Sequence, residues 1–369
     1  MLKPMKNICM YRRLYLPLSE TFIYEQITNM TEYYPHVFYR ELLAESASFP
    51  FSTLIPYRDL ETTIKHFYAH NIRLIYARFG TGGLQMLPVK QATNLPMLTS
   101  FHGYDVSRKA ETFIEDYTAK LPELFMKGEM FTVVCEHMRN RLMNLGCPSH
   151  KIVVLKSGID LDKFPFHPKA PAKKDEIDIL SVGRLTEKKG MNILILAFAR
   201  IAEKYPNSRL TIIGDGEERV NLESLIEKLQ LHGRVKLVGK KSHSEVREHL
   251  MNCDLFSIAS LTGSDGNEEG IPNVLMEALA VGRVVVSSAH AGIPELIHHG
   301  ETGYLVPEKD VDALSAMLIY AIEHQSEWIQ LAEKGRRKVE QEHDIRKQVR
   351  KLEQVFTHLI NSPQKEDET

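Results

Sequence analysis

The sequence predicts an α/β protein made of two doubly wound parallel sheets, and three observations lead there. Short apolar runs alternate with amphipathic stretches along almost the whole chain, the strand, helix, strand rhythm of an open parallel sheet. The rhythm occurs twice, on either side of a proline- and lysine-rich interruption, KSGIDLDKFPFHPKAPAKKDE. The chain's 369 residues are also enough for about two domains at ~100 to 200 residues each.

In the first half, strands are expected at 7–11 (NICMY), 72–76 (IRLIY), 97–101 (MLTSF) and 131–135 (FTVVC), each followed by a helix. In the second they fall at 177–182 (IDILSV), 209–213 (RLTII), 235–238 (VKLV), 254–258 (DLFSI) and 284–288 (VVVSS). Residues that precede proline are pushed out of helix, which places a linker at about 160–175. The domains are therefore expected at 1–165 and 166–345. From about Ser326 the chain reads as helix rich in Lys, Arg, Glu and Gln, and it ends in a polar tail, 362–369. Ligands of doubly wound sheets sit at the carboxyl ends of the strands, so two such sheets facing each other would line a cleft.

Composition excludes several classes. With 43% hydrophobic and 25% charged residues the chain can bury a sizeable core, and wholesale disorder is excluded. A formal charge of -2 argues against a dedicated nucleic-acid binder. Cys9, Cys135, Cys147 and Cys253 form no C-x-x-C pair, so a reduced, cytosolic protein without a metal site is expected. The opening MLKPMKNICMYRRLY lacks a signal-peptide apolar stretch and no run of ~18 apolar residues occurs, so a membrane would be met from outside.

The segment EEGIPNVLMEALAVG, residues 268–282, carries the most chemistry. Pro272 suits a first helical position, which would leave the amides of Asn273, Val274 and Leu275 unpaired and aimed at an anion. Glu269 precedes the helix and Glu277 lies inside it, so each can accept from hydroxyls on one side of a bound phosphate. A nucleotide sugar has that layout, its diphosphate separating hexose from ribose. Two solvated glutamates beside an ordinary helix would look the same in isolation. The stretch SVGRLTEKKG puts Arg184 and Lys189 beyond a strand, where two cations can neutralise a diphosphate without a metal ion; taken singly, such a cluster is an ordinary solvated loop. IIGDGEER, residues 212–219, has Gly214 and Gly216 but Arg219 in place of a third glycine, so it is a poor dinucleotide fingerprint and is expected to border a nucleotide instead. YARFGTGG, residues 76–83, ends a strand in a glycine-rich loop that is either a turn or an approach to acceptor or phosphates. SFHGYD brings His102 to another strand end.

SGIDLDKF, VGRLTEKKG, IIGDGEE, the Glu269-x7-Glu277 element, GIPELI and GETGYLVP, in that order, resemble the retaining glycosyltransferases of glycosyltransferase family 4, which have the GT-B fold. The resemblance covers most of the chain and is strongest from Lys156 to Pro307. It implies that Arg184 and Lys189 bind the donor diphosphate, Glu269 the hexose and Glu277 the ribose. Gly183, Gly214, Gly216, Gly270, Ile271, Asn273 and Val274 would line the same site. His102 would face the transferred sugar, making His102, Arg184, Lys189 and Glu269 the catalytic set. VKLVGKKSHSEV, residues 235–246, would contact the base. A last helix at about 346–361 would cross back to the first domain, and the two domains would close over the donor. Where many members have a glycine-rich loop after the first strand, this chain has LYLPLSETFIYEQI, with Ser19 or Thr21 placed to cap the next helix. The SETFI form resembles members that build bacterial exopolysaccharides or lipopolysaccharides.

The function expected is transfer of a hexose from a nucleotide diphosphate sugar to a hydroxyl acceptor, a glycan or lipid-linked saccharide, with retention and with no cofactor. A peripheral place at the inner face of the membrane would use Arg12, Arg13, Arg108 and Lys109 against an anionic surface. The rival readings are a nucleotide-sugar epimerase of the same architecture and a non-catalytic nucleotide-sugar-binding subunit.

Overall fold

The computed structural model describes residues 5–17, 20–106, 114–171 and 176–362. Met1–Gly158 with Ile345–Thr369 make one compact unit, and Ile159–Asp344 make the other.

In the first unit the sheet strands are β1 (Lys6–Tyr11), β2 (Tyr33–Tyr39), β3 (Leu54–Pro56), β4 (Ile75–Arg78), β5 (Met97–Ser100), β6 (Met130–Val133) and β7 (Ile152–Val154). They pair in the order β3-β2-β1-β4-β5-β6-β7, every pair parallel. The second unit repeats the plan with β8 (Asp178–Val182), β9 (Arg209–Ile213), β10 (Val235–Leu237), β11 (Leu255–Ile258), β12 (Val284–Ser288) and β13 (Tyr304–Val306). Their order is β10-β9-β8-β11-β12-β13, again all parallel. Both units thus have the 3-2-1-4-5-6 order of a doubly wound sheet, the first with one strand added. Helices cover both faces, which is why β4, β5, β11 and β12 are buried at every position and, Arg78 at the end of β4 apart, read as apolar or small-residue runs.

The strand β2 is not among the expected strands, and YYPHVFY carries a proline in its middle although a central strand needs every N–H. Its geometry resolves the conflict. The Val37 amide donates to Thr53 O at 2.8 Å on the β3 side, and Pro35, two residues earlier, turns the same way. Pairing with β3 begins only at Val37 with Leu54, so the missing N–H falls where no neighbouring strand has begun.

Helix α1 (Thr21–Thr28) follows β1, and Thr21 is its first residue, not its cap; Glu20 precedes it without a capping side-chain bond. Ser19 lies outside the described residues, as do Arg108 and Lys109. The last helix, α2 (Ile345–Asn361), packs Val349, Leu352 and Phe356 into the first unit's core beside Ile8, Tyr33 and Tyr76. Its buried Glu353 accepts from the amides of Thr31 and Glu32 at 2.7 Å each, from that of Tyr33 at 3.2 Å, and from the Thr31 hydroxyl at 3.1 Å. No helix among the described residues is long and apolar enough to cross a membrane.

Candidate functional site

In the second unit, the loop after β11 delivers Glu269 to the start of helix α3 (Asn273–Ala280). Pro272 is the residue before the helix, one step earlier than expected. The amides of Asn273 and Val274 have no partner among the described residues. That of Leu275 donates to Pro272 O at 3.0 Å, so two bare amides stand here in place of the three expected. Free N–H groups and the helix dipole give this end a partial positive charge.

The turn Glu187–Lys189 after β8 brings two ammonium groups to the same carboxylate. Lys189 Nζ lies 3.0 Å and Lys188 Nζ 3.4 Å from Glu269 Oε1. Lys188 was missed by the sequence reading; in LTEKKG nothing separates a solvated lysine from its buried neighbour. It is 8% exposed and also donates to Asn267 Oδ1 at 3.2 Å. Burial lowers its pKa, with Lys189 and Arg184 adding to the effect and Glu269 opposing it. Burial works to raise the pKa of Glu269, but the charges of Lys189, Lys188 and Arg184 outweigh it and hold the carboxyl at about 2. Arg184 is exposed, and its guanidinium has no partner among the described residues. Three cations against one carboxylate leave a local surplus of positive charge beside the helix start, which suits a diphosphate.

Glycines let the loops approach this closely. A Cβ on Gly214 would sit 1.8 Å from Gly183 O, so the ends of β8 and β9 can touch only without it. A Cβ on Gly216 would lie 2.4 Å from Leu185 O. At Gly183 a Cβ would press on the Lys189 stem at 3.3 Å. The Gly270 carbonyl accepts from Gly292 N at 3.2 Å, and the neighbouring Ile271 is buried.

Two further residues escaped the sequence reading. The Glu269 amide donates to Nε2 of His290 at 3.1 Å, which leaves Nδ1–H to donate to Glu308 Oε1 at 2.7 Å. Glu308 in turn accepts from the Thr262 amide at 2.9 Å. His290, buried, therefore pins the loop that presents Glu269. His243 Nε2 lies 3.1 Å from Glu277 Oε1 and orients that buried carboxylate. His243 falls within the segment 235–246 tied to the base by resemblance, but its bond to Glu277 spans 34 residues and had no local signature. Arg219, the first residue of the helix after the G-x-G loop, pairs within that helix with Glu223 at 2.9 Å.

His102 belongs to the first unit, just beyond β5. Its ring nitrogen Nε2 is 2.9 Å from Ser100 Oγ, and the ring packs on Phe22 and Phe79. Burial, then the nearby Arg78 and Arg12, push its pKa well below the usual value, so it is neutral near pH 7. The GTGG segment is not a loop: Gly80–Gly83 form the first turns of helix α4 (Phe79–Thr93) and are buried. Gly83 leaves room for Thr99 and Leu124, and Asp105 accepts from the Gly80 amide at 3.0 Å, capping the helix. Arg12 is not a surface cation either. It is 6% exposed, forms two bonds to Glu20 at 2.6 and 2.9 Å, and lies over the Phe79 ring. Arg13 pairs with Glu41 at 2.7 Å.

Comparison with known proteins follows the same division. The family model described as glycosyl transferases group 1 matches residues 162–338, and that of glycosyltransferase family 4 matches residues 27–163. The putative colanic acid biosynthesis glycosyltransferase WcaL of Escherichia coli is 38% identical over 277 residues, 74% of this chain and 67% of that protein. The amylovoran biosynthesis glycosyltransferase AmsK of Erwinia amylovora is 37% identical over 79% of this chain and 71% of that protein. Among solved structures, Anabaena Alr3699/HepE in complex with UDP superposes with a TM-score of 0.81 over 96% of this chain and all of that one, at 18% identity. A glycosyltransferase from Rickettsia africae gives 0.82 over 98% of this chain, at 16% identity. At such identities the likeness is one of fold, the GT-B fold.

Proposed function

The chain belongs to the family 4 glycosyltransferases, and from that premise we propose that it moves a hexose from a nucleotide diphosphate sugar to a hydroxyl acceptor with retention at the anomeric carbon. The acceptor is a glycan or lipid-linked saccharide of cell-surface polysaccharide synthesis, in keeping with the colanic acid and amylovoran names of its relatives. The observation that carries this reading is the surplus of positive charge around Glu269, beside the bare amides of Asn273 and Val274.

As the bond from sugar to phosphate breaks, negative charge grows on the departing diphosphate. Lys189 and the two amides are preorganised donors for that charge, exposed Arg184 adds a guanidinium, and no metal ion is needed. Glu269 is a positioning group: two ammonium groups on its carboxylate make it a poor nucleophile, while its other oxygen can accept from hexose hydroxyls. Glu277, oriented by His243, accepts from the ribose. Neutral His102 faces the transferred sugar and can hydrogen-bond without adding charge. The departing phosphate helps take the acceptor proton on the same face. The protein works at the cytoplasmic side, where nucleotide sugars are made, and meets a lipid-linked acceptor from outside the bilayer.

Incubating the purified protein with UDP-, GDP- and ADP-hexoses tests the proposal. One donor family should raise the melting temperature. That donor should be stable alone and yield a glycoside of unchanged anomeric configuration when acceptor is added, as read by NMR. Conversion of the donor without acceptor would favour the epimerase, binding without turnover a non-catalytic subunit, and an inverted product would remove retention.

A further inference from the structure

Away from the donor groups, the first unit holds three histidines that its transferase chemistry does not use. His36 comes from β2, His66 from helix α5 (Leu60–Ala69), and His70 ends that helix. In HFYAH the last two are spaced i, i+4, which puts them on one face of the helix, the spacing at which a helix supplies two ligands to one ion. Strand β2 supplies the third from across the helix–sheet interface.

The geometry is that of a pocket of imidazoles. His36 Nδ1 and His66 Nε2 are 2.9 Å apart, and one ring nitrogen of each of the three lies within 4.8 Å of the others. Ring centroids are 5.1 Å apart for His36 and His66, 5.0 Å for His36 and His70, and 4.1 Å for His66 and His70. Ligand nitrogens about 2.0–2.1 Å from zinc stand roughly 3.3 Å from one another in a tetrahedron, so the first pair, at 2.9 Å, needs to part by only about 0.4 Å. His70 is exposed and free to turn by the remaining distance. His36 is 5% exposed, and Phe38 and Tyr34 pack edge-on against His66 and His36. The rings are therefore held on one side by packing and open on the other. Apart from the contact between His36 and His66, their ring nitrogens make no hydrogen bond to any described residue.

We propose that His36, His66 and His70 bind one divalent transition-metal ion of the borderline class, zinc first, with water in the fourth position. Neutral imidazole is the preferred ligand of such ions, and three of them with an open position make a complete zinc site. Binding breaks the hydrogen bond between His36 and His66: both rings turn a lone pair to the ion, and the shared proton moves to the distal nitrogen of its own ring. No proton leaves and no oxidation occurs. The ion ties the end of α5 to β2, so its role is to staple the first unit. This inference does not rest on the transferase reading.

The full-length protein, stripped by chelator, is titrated with Zn2+ against a chromophoric competitor and with Co2+ followed by visible absorption. Wild type should bind one equivalent, give the intense bands of four- or five-coordinate cobalt, and melt higher with zinc than with chelator. Exposed His70→Ala should weaken binding by more than the roughly tenfold cost of losing an outer-shell partner, and His66→Ala/His70→Ala should abolish it. Both variants should melt in chelator as the wild type does, which shows that they fold. Absence of binding by the wild type, or equal affinity in the double variant, would overturn the site.

Discussion

The carboxyl edges of the two sheets share one topology and opposite chemistry. In the first unit Arg12, Arg78 and His102 emerge at the ends of β1, β4 and β5, and their charges are turned inward. Arg12 is consumed by Glu20. Arg78, 1% exposed, donates to Tyr76 and Gln26 and rests against the Phe22 and Tyr76 rings, two of its nitrogens having no hydrogen-bond partner. Asp105 is absorbed by the amides of Gly80, His102 and Gly103. In the second unit Lys188 and Lys189 share a single carboxylate, Arg184 stays outside, and helix amides are left bare. The second unit's edge thus leaves positive charge uncompensated beside bare amides, as a phosphate requires, whereas the first compensates Arg12 and Asp105 internally and presents the neutral His102.

This contrast can be broken most directly by removing one cation from each edge. Arg12→Ala leaves the buried Glu20 without its partner and should cost about 3–5 kcal/mol of unfolding free energy, measured by urea denaturation. Lys189→Ala should leave the melting temperature nearly unchanged, because Lys188 still pairs with Glu269, and should lower turnover by about 10²–10³-fold. If Arg12→Ala is as stable as wild type, or Lys189→Ala turns over normally, the two edges do not differ as described.

A smaller effect is expected from Glu353, another buried charge of the first unit satisfied from within. Glu353→Gln keeps the shape but weakens acceptance from three amides and a hydroxyl, and about 1–3 kcal/mol should be lost. Transferase activity per folded molecule should not change. A selective loss of turnover at full stability would mean that the last helix does more than complete the core.

Much of this was legible before the fold was known, for reasons that differ by residue. Strands buried on both faces announce themselves as apolar runs, which is why β8, β9 and β12 were read within a residue. The strand β2 has no such clean run: Pro35 interrupts it, and whether a strand tolerates that proline depends on where β3 begins. Motif spacing drew attention to Arg184, Lys189, Glu269 and Glu277, because each lies near a strand end or helix start. Lys188, His290 and His243 could not be found that way. Lys188 differs from Lys189 only in which side of one turn it occupies, and the two histidines reach the Glu269 backbone amide and the Glu277 carboxylate from 21 and 34 residues away in the chain. The surface role expected of Arg12 failed for the same reason: a local count of basic residues carries no information on burial beside Glu20.

The finest test compares two carboxylates by the sign of their proton linkage. Glu269 has its pKa lowered in the folded state from 4.5 to about 2, so its ionised form stabilises the fold. That contribution is complete above the unfolded value and is lost as pH falls through the folded one. The stability advantage of wild type over Glu269→Gln should therefore be constant near neutrality and shrink from about pH 5 downward. Asp105 goes the other way. Burial raises its pKa above 3.8 despite hydrogen bonds from three backbone amides, so its ionised form opposes the fold. Relative to Asp105→Asn, the wild type should gain stability on acidification from neutrality through that raised value, the gain being complete below the unfolded 3.8. Urea denaturation of the four proteins between pH 7 and about pH 3 reads both slopes. Opposite signs would show that one unit holds its edge carboxylate for its charge and the other in spite of it; equal signs would mean that the lysines around Glu269 do no more for it than amides do for Asp105.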